Sequence, residues 1–130
     1  MRSVLVLAIS IAIVATDIKS HRIPNKLTLV LFFALALFPR SSKPGAVFIA
    51  ILLTVVIGTS FRFGAGDIKL VIALILTSGQ IILTRGYFLG MALTATLTIL
   101  LTRLALGSSV KSIPFAPSIL LPFIASYLAI

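Results

Sequence analysis

Long apolar runs separated by short polar breaks dominate this chain. The breaks contain proline, glycine or basic residues. The six apolar segments cover residues 3–16, 27–38, 46–61, 68–83, 87–106 and 115–130. Several are shorter than the roughly 20 residues that cross a hydrocarbon core. We therefore expect the second to extend back to Pro24, since proline suits a first helical turn. The pattern predicts an all-α, polytopic integral membrane protein with about six transmembrane helices.

The composition supports one membrane-embedded domain over residues 1–130. Hydrophobic residues make up 60% of the chain and charged residues 10%, whereas a soluble domain has about a quarter charged residues. The N-terminal apolar run resembles a signal peptide, but it lacks a good cleavage site before Asp17. We interpret it as a retained first span.

The net charge of +9 comes from 11 Lys and Arg residues against two acidic residues. The cations lie between or near the ends of apolar runs, where such residues anchor spans and attract anionic lipids. No basic stripe or aromatic stacking platform is present, so nucleic-acid binding is not expected. We expect anionic membrane lipids to be partners, and the sequence leaves the oligomeric state open.

The distribution of Lys and Arg predicts an orientation. Seven of the 11 fall on one side of the predicted membrane, namely Lys19, Arg22, Lys26, Arg62, Lys69, Arg103 and Lys111. The remaining four are Arg2, Arg40, Lys43 and Arg85. Cytoplasmic loops carry the excess of positive charge. We therefore expect the first side to be cytoplasmic and both termini to be extracytoplasmic.

The two acidic residues, Asp17 and Asp67, fall at one predicted face. Asp17 ends the first span and Asp67 begins the fourth, so the chain crosses twice between them. Ionisable residues in membranes are costly and are functional candidates by default. Two neighbouring carboxylates share one proton, so that one can activate water while the other polarises a carbonyl. This is aspartic peptidase chemistry, which needs neither a metal nor another cofactor.

Other kinds of site fit less well. The sequence has no cysteine and a single histidine, His21, so a zinc site or a cysteine nucleophile is not expected. Gly64 and Gly66 could admit a substrate backbone or unwind the chain before the fourth helix, or Asp67 could simply cap a turn. Two alternatives remain: a proton-coupled transporter or relay subunit using both aspartates, and a non-catalytic assembly factor.

Three motifs resemble those of the type IV prepilin peptidases, which are membrane aspartic peptidases. "GAGDIKL" at 64–70 is similar to their Gly-x-Gly-Asp-x-Lys-Leu motif. "DIKSHRIPN" at 17–25 resembles their first motif, and "IPFAPSILL" at 113–121 resembles the segment that opens their last helix, with Ala116 in place of glycine. Presenilin-like peptidases share Gly-x-Gly-Asp, but their usual Tyr-Asp motif is absent here.

The resemblance implies a catalytic pair, Asp17 and Asp67, supported by Gly64, Gly66, Lys69, Pro24 and Asn25. It implies cleavage of the short basic leader from prepilin-like precursors, just before their hydrophobic helix, at the cytoplasmic face of the inner membrane. Such enzymes serve type IV pili and protein secretion. Longer members carry a Cys-x-x-Cys zinc motif and methylate the new N-terminus. Since cysteine is absent here, we expect a short peptidase without N-methyltransferase activity, as in tight-adherence pilus or preflagellin systems.

Overall fold

The structure, a computed structural model, describes residues 2–37, 43–60, 63–107 and 113–129. Within these ranges the chain forms helices and no strands, which confirms the all-α prediction. The six helices are α1 (Arg2–Ser20), α2 (Asn25–Ala36), α3 (Pro44–Ser60), α4 (Ala65–Ile82), α5 (Arg85–Leu106) and α6 (Ala116–Ala129). Of the basic residues behind the predicted orientation, Arg40, Arg62 and Lys111 lie outside the described residues, as does the side chain of Arg2.

Helices α1 and α4 extend beyond their predicted ends, and both extensions include an aspartate. Helix α1 continues past residue 16 to Ser20, so that Asp17 lies in its last turn. No helix-breaking residue interrupts this stretch, and His21, with a φ of 51°, follows the helix end. Helix α4 begins at Ala65 rather than at residue 68, so that Asp67 lies in its first turn. A carboxylate there interacts favourably with the helix dipole.

Helix α4 is central to the bundle. It contacts α2, α3, α5 and α6, while α1 packs on α2 and α6. Fully buried aliphatic and aromatic side chains fill the space between these helices, among them Ile13, Leu31, Leu70, Leu74, Ile119 and Phe123. Helices α1 and α4 therefore share two neighbours, α2 and α6.

Three helices are long and apolar enough to cross a membrane: Ser3–Ser20, Ala65–Ile82 and Arg85–Leu106. The other three have 12, 17 and 14 residues. At 1.5 Å per residue, α2 is only about 18 Å long, well short of a hydrocarbon core of about 30 Å. We therefore expect the bilayer to be thinned locally, or flanking residues to complete the shorter spans.

Helices α5 and α6 pack closely around a proline. Pro122 lies inside α6 and has no N–H to donate to the Ser118 carbonyl one turn earlier. The Thr94 hydroxyl of α5 lies 3.2 Å from that carbonyl oxygen and 2.8 Å from the Gly90 carbonyl oxygen of its own helix, so both lie within reach of its one proton. A Cβ at Gly90 would lie only 2.8 Å from Cβ of Pro122, so the approach requires glycine. This contact fixes α6 against the bundle.

Candidate active site

Asp17 is buried at the end of α1, with 4% of its surface exposed. Its Oδ2 accepts a hydrogen bond of 2.9 Å from the backbone N–H of Ala116, the first residue of α6. The first amides of a helix have no partner within the helix, and they carry partial positive charge. The start of α6 therefore supplies both a donor and a favourable electrostatic environment for the Asp17 carboxylate.

Asp67 is partly exposed in the first turn of α4. Its backbone N–H donates to the Gly64 carbonyl oxygen at 3.0 Å. Gly64 precedes the helix in an extended conformation, and a Cβ at this position would lie 3.1 Å from Oδ2 of Asp67. The absence of a side chain at Gly64 thus leaves room for the Asp67 carboxyl group.

Gly66 brings the two aspartate-bearing segments together. A Cβ at Gly66 would lie 3.0 Å from Cβ of Ile23 and 3.4 Å from its carbonyl oxygen. Ile23 is buried in the connection between α1 and α2, shortly after Asp17. The start of α4 can approach this connection because residue 66 has no side chain. The Asp17 carboxyl group is among the charges that act on the Asp67 carboxyl group.

The other predicted supporting residues lie at the start of α2, for Pro24 and Asn25, and in α4, for Lys69. Pro24 is the N-cap of α2, and its carbonyl oxygen accepts a 3.2 Å hydrogen bond from the Thr28 N–H. Lys69 Nζ donates to Asn25 Oδ1 at 3.4 Å. The ammonium group of Lys69 therefore interacts with an amide in the first motif. The Lys69–Asn25 contact links the first motif to the second, whereas the Pro24–Thr28 hydrogen bond lies at the start of α2.

Residues of the third motif complete the site. The ring of Phe115 stacks on that of Phe63, with centroids 4.9 Å apart and planes inclined by 28°. Pro114 and Pro117 are buried on either side of Phe115 and Ala116. The Ala116 contact had no direct signal in the sequence, because the donor is a backbone group. The stacking had none either, since the two phenylalanines are far apart in the chain.

The acidic side chains of the candidate site are those of Asp17 and Asp67. No cluster of three or more His, Cys, Asp or Glu residues that could hold a metal ion occurs in the part of the chain that the structure describes. A pair of carboxyl groups can transfer protons to and from a water and a peptide bond. The arrangement is therefore suited to acid–base hydrolysis.

Comparison with protein families agrees with these motifs. The model of the type IV leader peptidase family matches residues 4–129. This chain belongs to that family. The match includes both aspartates and the third motif, and it supports a peptidase over a transporter. Comparison with curated proteins gave no significant match, and neither did comparison with solved structures.

Membership in the type IV leader peptidase family agrees with the physical character of the chain. Its apolar helices are those of an integral membrane protein, and its family is one of proteases that process prepilin-like substrates in general. The membrane prediction and the peptidase prediction are both confirmed at this level.

Proposed function

We propose that this protein is an aspartic endopeptidase that removes the short basic leader from type IV prepilin-like precursors, with Asp17 and Asp67 as its catalytic pair. The observation that supports the proposal is that the only two acidic residues of the chain lie within electrostatic range of each other, with Asp17 held at the start of α6. They lie 50 positions apart in sequence and on different helices. Placing two ionisable carboxyl groups in an apolar bundle costs free energy, so a pair that is present is a functional candidate.

In the proposed mechanism the two carboxyl groups hold one proton between them. The ionised carboxylate takes a proton from a water, which attacks the carbonyl carbon of the scissile peptide bond. The protonated carboxyl donates a hydrogen bond to the carbonyl oxygen and stabilises its developing charge. Collapse of the tetrahedral intermediate then breaks the C–N bond, and a carboxyl proton passes to the leaving amine. Ala116 holds Asp17 in place during these steps.

The charge distribution supports a cytoplasmic site in the inner membrane. Lys19, Arg22 and Lys26 follow Asp17 closely, and Lys69 follows Asp67. Such residues remain on the cytoplasmic side and attract anionic lipid headgroups. The proposal covers peptide cleavage and not N-methylation, because the sequence has no cysteine for the zinc motif of the methylating members.

A cleavage assay in membranes tests the proposal. A precursor with a basic leader and an apolar helix is expressed with the wild type, with Asp17→Asn or with Asp67→Asn, and its mass is followed. We expect the wild type alone to remove the leader, because an amide can neither accept the proton from water nor donate a carboxyl proton. Ile18→Ala, at the exposed position beside Asp17, is the control and should cleave. The proteins are compared at equal abundance. Removal of the leader by either Asn variant would refute the catalytic pair.

A further inference from the structure

An apolar groove runs along the side of α4 that faces α3 and α5. Its volume is about 350 Å³. Asp67 and Phe63 line one end, Leu53 and Val71 the middle, and Phe88 the other end. From Asp67 to Thr77, before the non-helical Ser78 kinks α4, the rise per residue gives a length of about 15 Å. One of the proposed catalytic carboxyl groups thus stands at the end of a long apolar surface.

The groove is open on the side away from α4. Among the described residues, α3 contacts α4 alone, and α5 contacts α4 and α6 but not α3. Two large apolar side chains that line the groove, Leu53 of α3 and Phe88 of α5, remain half exposed. An apolar molecule can therefore enter between α3 and α5 from within the bilayer.

The polar groups of the groove select what can bind there. The hydroxyl of Thr54 donates to the Ala50 carbonyl oxygen, and that of Tyr87 donates to the Ile119 carbonyl oxygen. Asp67 is therefore the acidic residue of the lining, and its carboxyl group can contact a ligand. The surface is therefore suited to an apolar peptide segment that has a peptide bond next to Asp67 at one end.

Charge also favours recognition of an apolar segment over the leader. The protein has a net charge of +9, and its two acidic residues are the proposed catalytic pair. A basic leader would therefore meet like charge over most of the surface, which gives no electrostatic complementarity. The apolar part of a precursor meets no such penalty.

We propose that the groove between α3 and α5 binds one face of the apolar helix that follows the scissile bond of the precursor. This inference rests on the proposed function. A helix about 10–12 Å across is too bulky for the groove to enclose, so its side chains enter while its backbone stays outside, as in helix-in-groove recognition. The helix begins at Asp67 and runs along α4, and the leader extends away from the Asp67 end.

Photo-crosslinking tests where the apolar helix binds. Benzoylphenylalanine is placed at Leu53, which lines the groove, or at Leu52, its similarly exposed neighbour outside it. The Asp17→Asn background keeps the precursor uncut in vesicles of phosphatidylethanolamine and phosphatidylglycerol. We expect the probe at position 53 to form adducts within the apolar helix and the probe at position 52 to form none there. Equal adducts at both positions, adducts in the leader, or adducts with lipid alone at position 53 would overturn the proposal.

Groove-filling variants provide a second test. Ala50→Trp fills the groove, whereas Ala92→Trp adds the same bulk to an exposed position on α5. We expect kcat/KM for the full precursor to fall about tenfold or more with Ala50→Trp and to stay unchanged with Ala92→Trp. Both variants should cleave a short peptide without the apolar helix as the wild type does. An equal loss on both substrates would indicate structural damage and overturn the proposal.

The two hypotheses fail in different ways. If the wild type cleaves the precursor and Ala50→Trp cleaves it equally well, the groove proposal is wrong and the proposed function stands. If the wild type cleaves no precursor, both are wrong.

Discussion

At the scale of single residues, the Gly-Ala-Gly-Asp segment shows two different uses of glycine. Gly64 leaves space for the Asp67 carboxyl group, and Gly66 leaves space for Ile23. The sequence predicted that these glycines matter, because glycine near a helix start requires a reason. It could not assign the neighbour of each, since those contacts depend on how α4 packs against the connection between α1 and α2.

Replacing Gly66 with alanine should destabilise the protein, because the added methyl group would lie 3.0 Å from Ile23 Cβ. Overpacking of this kind costs about 1–3 kcal/mol. We expect a lower thermal unfolding midpoint in detergent and a loss of cleavage. Gly86→Ala is the matched control, because Gly86 is also the second residue of a helix and a Cβ there would meet no atom within 4 Å. If the two variants unfold at the same temperature, the Gly66 contact does not hold these segments together.

At the scale of elements, the start of α6 is the feature that sequence reasoning did not anticipate. The third motif was recognised as the opening of the last helix, and Ala116 as a small substitution within it. The structure shows that its backbone N–H binds Asp17 across 99 sequence positions. The predicted helix ends also missed the extensions of α1 and α4, because apolar runs mark buried lengths and not the polar turns that continue them.

The variant Ala116→Pro tests this contact by removing the donor N–H. Proline suits the first position of a helix, so α6 should still form. A hydrogen bond to a charged group contributes about 1.5–3 kcal/mol, so we expect cleavage to fall by about tenfold or more at normal protein abundance. Ala116→Gly keeps the N–H and should retain activity. Full activity of Ala116→Pro would show that Asp17 does not depend on α6.

At the scale of the whole molecule, hydropathy predicted the six helices, and the number of crossings predicted that the two aspartates fall at one face. Both follow from simple constraints: apolar runs require burial in lipid, and an even number of crossings returns the chain to one face. The groove beside α4 was not predictable, because it arises from the separation of α3 and α5. The sequence patterns of α3 and α5 do not indicate that these two helices do not contact each other.

The predicted orientation can be tested on the whole molecule with single cysteines, since the sequence contains none. Lys19 and Lys43 are both exposed and lie on opposite predicted sides. In cells with a permeable outer barrier and an intact inner membrane, a membrane-impermeant maleimide should label Lys43→Cys. It should label Lys19→Cys only after the inner membrane is opened, because the more basic side stays cytoplasmic. The reverse pattern would place the aspartates outside the cytoplasm.

The central claim is that Asp17 and Asp67 act as one catalytic unit, and single-turnover cleavage by the two Asn variants and their double variant tests it most directly. Residues that act as a unit have strongly non-additive effects. We expect each single variant to lose about 10³-fold or more in rate, and the double variant to be no slower than the slower single variant. Rate losses that multiply in the double variant, or a single variant that keeps the wild-type rate, would contradict the claim.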